Sequence, residues 1–290
     1  MNNTLNLTTI EKCDNINAQD FQEQFVKTNK PVILTQYSRE WPALEKWNYD
    51  YLKKAAGNVE VPLFAEAFAD KGQAYMKAQT TLPFANYLDL LTTSDTRLRM
   101  FLFNLYKKMP NLCADFNYPG IISRYMKKFP FLFFGQKGSH VDLHYDADMS
   151  HVFLTQFMGR KEIILFSPPQ TRLLYRHPFT VSTNVDLRTP DLQKYPHLKH
   201  TQGYRCILNH GETLFMPSGY WHYIYYTDTG FSLSLRAQAD KLATRFHGYM
   251  NIFNLIVMDF GIGKIMGVPR WQQVKESMAI KRAEAYAKQM

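Results

Sequence analysis

Cysteine is nearly absent from this chain of 290 residues: the three that occur, Cys13, Cys113 and Cys206, are odd in number and far apart. That excludes a disulfide framework and a CxxC zinc site, and points to a reducing compartment, with the cytoplasm as the default expectation. Long apolar runs are lacking too. Residues 1–7 show neither the positive start nor the continuous apolar stretch of a signal peptide. The most apolar late segment, 253–266, is interrupted by Asp259 and Lys264, so no membrane association is expected. Clustered basic residues are also missing, although the net charge is +9: pairs such as Lys107-Lys108, Lys127-Lys128 and Arg160-Lys161 are scattered along the chain. Solvated basic faces are therefore favoured over a nucleic-acid motif, while an RNA-associated or acidic protein substrate stays open. Low-complexity tracts and internal repeats are absent as well, which argues against disorder and repeat architectures.

What is present is core material. Hydrophobic residues make up 46% and aromatic residues 15%, enough for one compact globular unit with appended helices. The apolar spacing predicts short helices over 18–28 and 41–56, and strands over 30–34, 59–64 and 97–103. From Phe131 the pattern changes to short strands separated by Gly, Pro and polar turns, at 131–134, 139–145, 152–158, 162–166, 204–208, 213–216, 222–227 and 231–236. Such spacing suggests a sandwich or barrel. Residues 170–202 read as a long, polar, Pro-containing insertion, and insertions of that length are usually functional. After Ala237 the pattern is helical, with Pro269 starting or separating a helix.

The run Leu143-His144-Tyr145-Asp146 sets an imidazole and a carboxylate two residues apart on a predicted strand, hence on one face. Downstream, Met216-Pro217-Ser218-Gly219-Tyr220-Trp221-His222 brings a third donor to the start of another strand. Two histidines and one carboxylate with open positions form the facial triad of non-heme Fe(II) oxygenases. An isolated HxD pair is common, and His222 between Trp221 and Tyr223 could be a core histidine. The order of the motifs along the chain favours the metal reading.

That order resembles the JmjC/cupin-like Fe(II)/2-oxoglutarate-dependent hydroxylases, most of all the branch containing the hypoxia-inducible-factor asparaginyl hydroxylase. The likeness is carried by His144-Tyr145-Asp146, the run from Gln156 to Pro169, His210-Gly211-Glu212 and Trp221-His222, with Pro31-Val32-Ile33-Leu34 and Trp47 upstream. It covers about residues 20–240. The resemblance implies an α+β fold, a double-stranded β-helix (cupin or jelly-roll) core with flanking N-terminal and C-terminal helices. It implies a cupin-like domain over 1–240, with its core at about 97–237, and a C-terminal helical extension over 241–290 that forms a homodimer. It also implies Fe(II) held by His144, Asp146 and His222, 2-oxoglutarate as co-substrate, and Lys161 paired with the distal carboxylate of that co-substrate.

Several positions depart from the family pattern. The interval from His144 to Lys161 is two residues longer than usual, so Asp148 and His151 stand as alternative ligands or supporting groups. Val141 replaces a threonine, Ser150, His151 or Val152 falls where an asparagine contacts the co-substrate, and Phe101 or Phe103 falls where a tyrosine does. Arg236 replaces another asparagine and could clamp a carboxylate. Ser150 and Arg236 accordingly join Lys161 as candidate co-substrate contacts, and Tyr145, Tyr220 and Trp221 as cavity-shaping residues. The leading reading is a 2-oxoglutarate-dependent dioxygenase acting as a hydroxylase on a protein side chain, an RNA or a small molecule. A non-catalytic cupin-like binding module and a cupin enzyme that uses no 2-oxoglutarate are the alternatives.

Overall fold

The computed structural model describes residues 5–64 and 78–289. Its strands in chain order are β1 (Asn6–Thr9), β2 (Lys12–Cys13), β3 (Val32–Leu34), β4 (Glu60–Leu63), β5 (Thr80–Pro83), β6 (Met100–Asn104), β7 (Phe131–Gly135), β8 (His140–His144), β9 (His151–Met158), β10 (Lys161–Phe166), β11 (Gln202–Leu208), β12 (Thr213–Met216), β13 (Trp221–Tyr226) and β14 (Gly230–Ala237). Each of the eight strands expected beyond Phe131 forms, within two residues at either end. They build two facing sheets, one ordered β1-β11-β10-β13-β8 and the other β2-β3-β12-β9-β14-β7-β6. From β7 to β14 successive strands alternate between the sheets, except that β10 and β11 pair within one, and all of these pairs are antiparallel; β1 and β2 add parallel strands at the edges. This makes the core a jelly roll on an α+β frame.

Period-two alternation explains why the central strands are apolar on both faces. On β9, Val152 and Leu154 point into the space between the sheets, where they meet Ile163, Leu165, Leu208 and Leu214. Phe153 and Phe157 point the other way, against Phe21, Trp41, Trp47 and Leu52 of the N-terminal helices. On the opposite sheet Ile164, Phe166, Trp221 and Tyr223 face outward. They are covered by Tyr175, Val181, Leu187 and Leu198 of the long insertion and by Ala279 and Ala283 of a C-terminal helix. The insertion is irregular, with two 3-10 turns at Pro168–Arg172 and Pro196–His200, but it is packed as a third layer.

The helices are α1 (Ala18–Phe21, continuing as a π turn over Gln22–Val26), α2 (Ala43–Lys46), α3 (Tyr49–Ala56), α4 (Phe84–Thr93), α5 (Leu105–Lys108), α6 (Leu242–Phe253), α7 (Phe260–Met266) and α8 (Val268–Ala287), with a π turn over Asn254–Asp259 joining α6 to α7. The single helix expected over 41–56 is broken at Trp47 and Asn48. Asn48 is extended and its side chain accepts from the Tyr51 N–H at 2.9 Å, starting α3 afresh. The turn also aims the Trp47 indole at Asp115, 3.0 Å away. The extended run expected at 97–103 forms β6 over Met100–Asn104, irregular within because Leu102 takes φ +48 and pairing with β7 shifts between Met100 and Phe103. No single helix among the described residues is long and apolar enough to cross a membrane; the C-terminal helices pass that test only as a pair bent by 119°.

Candidate metal centre and its cavity

Strands β8 and β13 pair antiparallel with His144 directly opposite His222. Neighbouring residues of both strands, Leu143, Tyr145, Trp221 and Tyr223, belong to the outer cluster, so the two imidazoles turn inward. Their ring centroids lie 4.2 Å apart. Asp146 follows just beyond the end of β8, and one donor atom from each of His144, Asp146 and His222 falls within 4.8 Å of the others. Gly219, at φ +77, makes the turn that delivers His222; a side chain there would meet Met149.

Each histidine is oriented through its other nitrogen. Nδ1 of His144 bonds the Asp142 carbonyl at 2.7 Å, and Nδ1 of His222 bonds the Tyr220 carbonyl at 3.1 Å. With the N–H on Nδ1, Nε2 is the basic nitrogen directed at the common point. Burial lowers the pKa of both rings, that of His222 to about 4, so both are neutral donors near neutral pH. Burial by itself would raise the Asp146 carboxyl, but Arg236 and the two histidines hold it far below the usual carboxylate range. The donor set is therefore two neutral imidazoles and one ionised carboxylate, which suits a divalent first-row metal.

The triad opens on a cavity of about 580 Å³ between the sheets. On its wall, inward-facing positions of β10 and β14 place Lys161 beside Ser232. The Lys161 ammonium is 1% exposed, donates to the Ser232 hydroxyl, and lies 4.3 Å from the centre of the Tyr226 ring. Burial, reinforced by the Arg99 charge, pulls its pKa well below that of a free lysine. Among the described residues no carboxylate lies within 4 Å of it. The Ser234 hydroxyl, also in the cavity wall, is buried with no hydrogen-bond partner among the described residues. A buried ammonium with no carboxylate near it among the described residues and an unsatisfied hydroxyl on the same cavity wall fit a carboxylate ligand.

Arg236 is taken up differently from a co-substrate clamp. One nitrogen of its fork donates to Asp146 at 3.0 Å and the other to Asp148 at 3.2 Å and to the Ser150 hydroxyl at 3.0 Å. Ser150 is thus part of this network and lies outside the cavity wall, its hydroxyl also donating to Asp148 at 2.9 Å. Asp148 serves the arginine, not the triad. His151 faces away from the triad, its Nδ1 accepting from the Ser218 N–H at 3.1 Å. The two surplus residues of the interval are absorbed in the turn after Asp146, where Met149 takes φ +54. Phe101 and Val141 line the cavity, Tyr145 borders it while its ring packs in the outer cluster, and Phe103 is in the helical-side core. Tyr220 and Trp221 reach elsewhere, to the Asn29 carbonyl and the Thr171 hydroxyl.

Residues missed at the sequence level come from β14 and the C-terminal helices. Ser232 and Ser234 carry the same period-two signal as Arg236 and were findable. Ile252, Leu255, Ile256 and Phe260 wall the cavity from the helical extension, and nothing local marks them. At Gly248 a Cβ would sit 2.5 Å from the Asp148 carbonyl oxygen, so only glycine lets α6 approach the loop after Asp146. Asn251 then donates to the Ala147 carbonyl at 3.2 Å.

Residues 18–251 match the model of the family described as "Cupin-like domain". "Lysine-specific demethylase 8" of Xenopus tropicalis is 28% identical over 78% of this chain and 52% of its own length. "JmjC domain-containing protein D" of Dictyostelium discoideum is 28% identical over 74% of this chain and 53% of its own. "tRNA wybutosine-synthesizing protein 5" of Gallus gallus is 26% identical over 78% of this chain and 76% of its own. The chain spans about half the length of the first two of these relatives. With the jelly roll, the triad and a family match over most of its length, the chain belongs to the cupin-like, JmjC-related domain family.

Proposed function

We propose that this protein is a 2-oxoglutarate-dependent oxygenase, with Fe(II) held by His144, Asp146 and His222. The observation that carries it is the pairing of a two-histidine, one-carboxylate cluster with a buried, uncompensated lysine in one cavity. When bound, iron would activate dioxygen for oxidation of a substrate C–H bond, while 2-oxoglutarate supplies two electrons and is decarboxylated to succinate. The chain's own residues do the rest. Lys161, with Ser232 and Ser234, would hold the distal carboxylate. The two main-chain carbonyls fix the imidazoles, and Arg236 keeps Asp146 ionised and aimed. Phe101, Phe131, Ile252 and Ile256 exclude water from the reacting end.

Hydroxylation is the finer reading. Demethylation begins with the same C–H oxidation, and the relatives' names bring protein side chains and tRNA in as candidate substrates beside small molecules. Anaerobic titration with Fe(II) and then 2-oxoglutarate, followed by succinate measurement on admitting oxygen, tests the proposal. His144→Ala should lose metal binding and succinate together. Absence of 2-oxoglutarate binding at millimolar concentration in the metal-loaded wild type would sink it in favour of a binding module or a cupin enzyme with other chemistry.

We also propose that the chain forms a homodimer through α6 and α7. Leu242, Phe246, Tyr249, Phe253, Ile256 and Phe260 recur at alternating intervals of four and three, and each is at least 49% exposed. That spacing is the seam of a helix pair, and a second copy offers the same seam.

A further inference from the structure

Outside the oxygenase cavity, the turn Pro168–Arg172 and the chain after it pack against α8. A groove of about 560 Å³ runs between them, lined by Pro169, Arg172, Arg176, Arg282 and Tyr286. From Arg176 and Arg282 a smaller recess of about 180 Å³ continues past Thr180 to Asn251 and Asn254. Those two asparagines flank Ile252, which belongs to the wall of the central cavity. The recess therefore ends against the same C-terminal helical segment that contributes Ile252 to the cavity wall.

Its three guanidinium groups have no carboxylate within 4 Å among the described residues. Arg176, half-buried, donates to the Tyr145 hydroxyl at 3.0 Å, and Arg172 lies 5.1 Å from the centre of the Tyr286 ring. Arg282 is exposed and makes no side-chain hydrogen bond or ion pair among the described residues. Elsewhere on the surface Arg160, Arg188 and Arg205 are paired, with Asp228, Asp186 and Glu162; Arg39, Arg124 and Arg270 are exposed with no ion pair among the described residues, but the groove sets three arginines around one concavity. Three like charges gathered in one concave site repel one another unless an anion joins them. Guanidinium forks match phosphate oxygens, and cations contributed by two separate elements suit several phosphates in a row better than one. The net charge of +9 would draw such a polyanion in.

We propose that this groove binds the phosphodiester backbone of a single-stranded nucleic acid. Binding stands on the groove alone; only the consequence, that the bound strand presents its substrate group to the cavity, rests on the oxygenase reading. Arg176, bonded to the tyrosine between His144 and Asp146, ties the groove to the strand that carries the metal donors.

The test is fluorescence anisotropy of the full chain with a short labelled single-stranded RNA, without iron or 2-oxoglutarate. The double variant Arg172→Gln/Arg282→Gln changes exposed side chains, and its folding is checked by circular dichroism. It should bind several-fold more weakly, with the salt dependence flattened by about 0.7 in log–log slope for each arginine removed. The charge-matched control Lys107→Gln/Lys108→Gln should bind as wild type does. Equal weakening in both variants, or no RNA binding by wild type, overturns the proposal. So does displacement of RNA by an equal charge of poly-glutamate, which indicates an acidic protein, or saturation by inorganic phosphate alone with no gain from the strand. Succinate formation is measured separately, so failure of the oxygenase reading leaves the RNA result standing.

Discussion

Lys161 concentrates the chemistry of the cavity in one side chain, because a buried ammonium must find an anion or give up its proton. Lys161→Ala is expected to weaken 2-oxoglutarate binding about a hundredfold, equivalent to about 3 kcal/mol, while metal affinity measured by titration stays near wild type. Equal loss of both would show that the lysine supports the fold and not the ligand. Two other buried residues, His151 and His177, contribute to pH dependence apart from the candidate metal donors. Burial lowers each to about 4, opposed by Asp240 at His151 and assisted by Lys275 at His177. Above about pH 6.5 both are neutral folded or unfolded and contribute nothing. Between about 6.5 and 4 only the unfolded chain takes up the protons, so stability falls with pH, by up to about 1.4 kcal/mol per unit for each histidine. Urea midpoints at pH 7 and pH 5 should therefore differ, and His151→Gln should narrow the gap.

At the scale of elements, the site depends on how strands and one helix meet. The opposed register of β8 and β13 sets His144 against His222, and the approach of α6 holds the loop after Asp146. Gly248→Ala would drive a Cβ into the Asp148 carbonyl, a backbone atom that cannot rotate away. The expected cost is about 1–3 kcal/mol, with iron affinity reduced although no ligand is altered. Calorimetry with metal titration checks it; a variant with a normal melting temperature and normal affinity would show that α6 does not restrain the site. Asn48→Ala should cost about 1 kcal/mol by uncapping α3, with metal affinity unchanged.

At the scale of the molecule, α6 and α7 serve two surfaces, since Ile256 and Phe260 belong both to the cavity wall and to the exposed seam. Light scattering should give the mass of two chains for wild type and of one for Phe246→Glu/Phe253→Glu, which leaves the cavity residues intact. A monomeric wild type at micromolar concentration would refute the homodimer. The expected division at residue 240 separates helices that are adjacent to the centre in space.

The local sequence determined the strand series after Phe131, the shared face of His144 and Asp146, and the turn that presents His222. These rest on period-two alternation and on glycine and proline chemistry, which act over a few residues. Arg236 was legible as an inward position, but its partners were not, because Asp146, Asp148 and Ser150 come from another strand and loop. The roof of Ile252, Leu255 and Phe260, the packed insertion and the gathering of Arg172, Arg176 and Arg282 were decided only by tertiary structure. Each joins segments remote in sequence, and their proximity follows from how the third layer and α8 cover the outer sheet. The candidate metal donors could be proposed from the chain alone; what surrounds them depended on the packing of both sheets and the last helices.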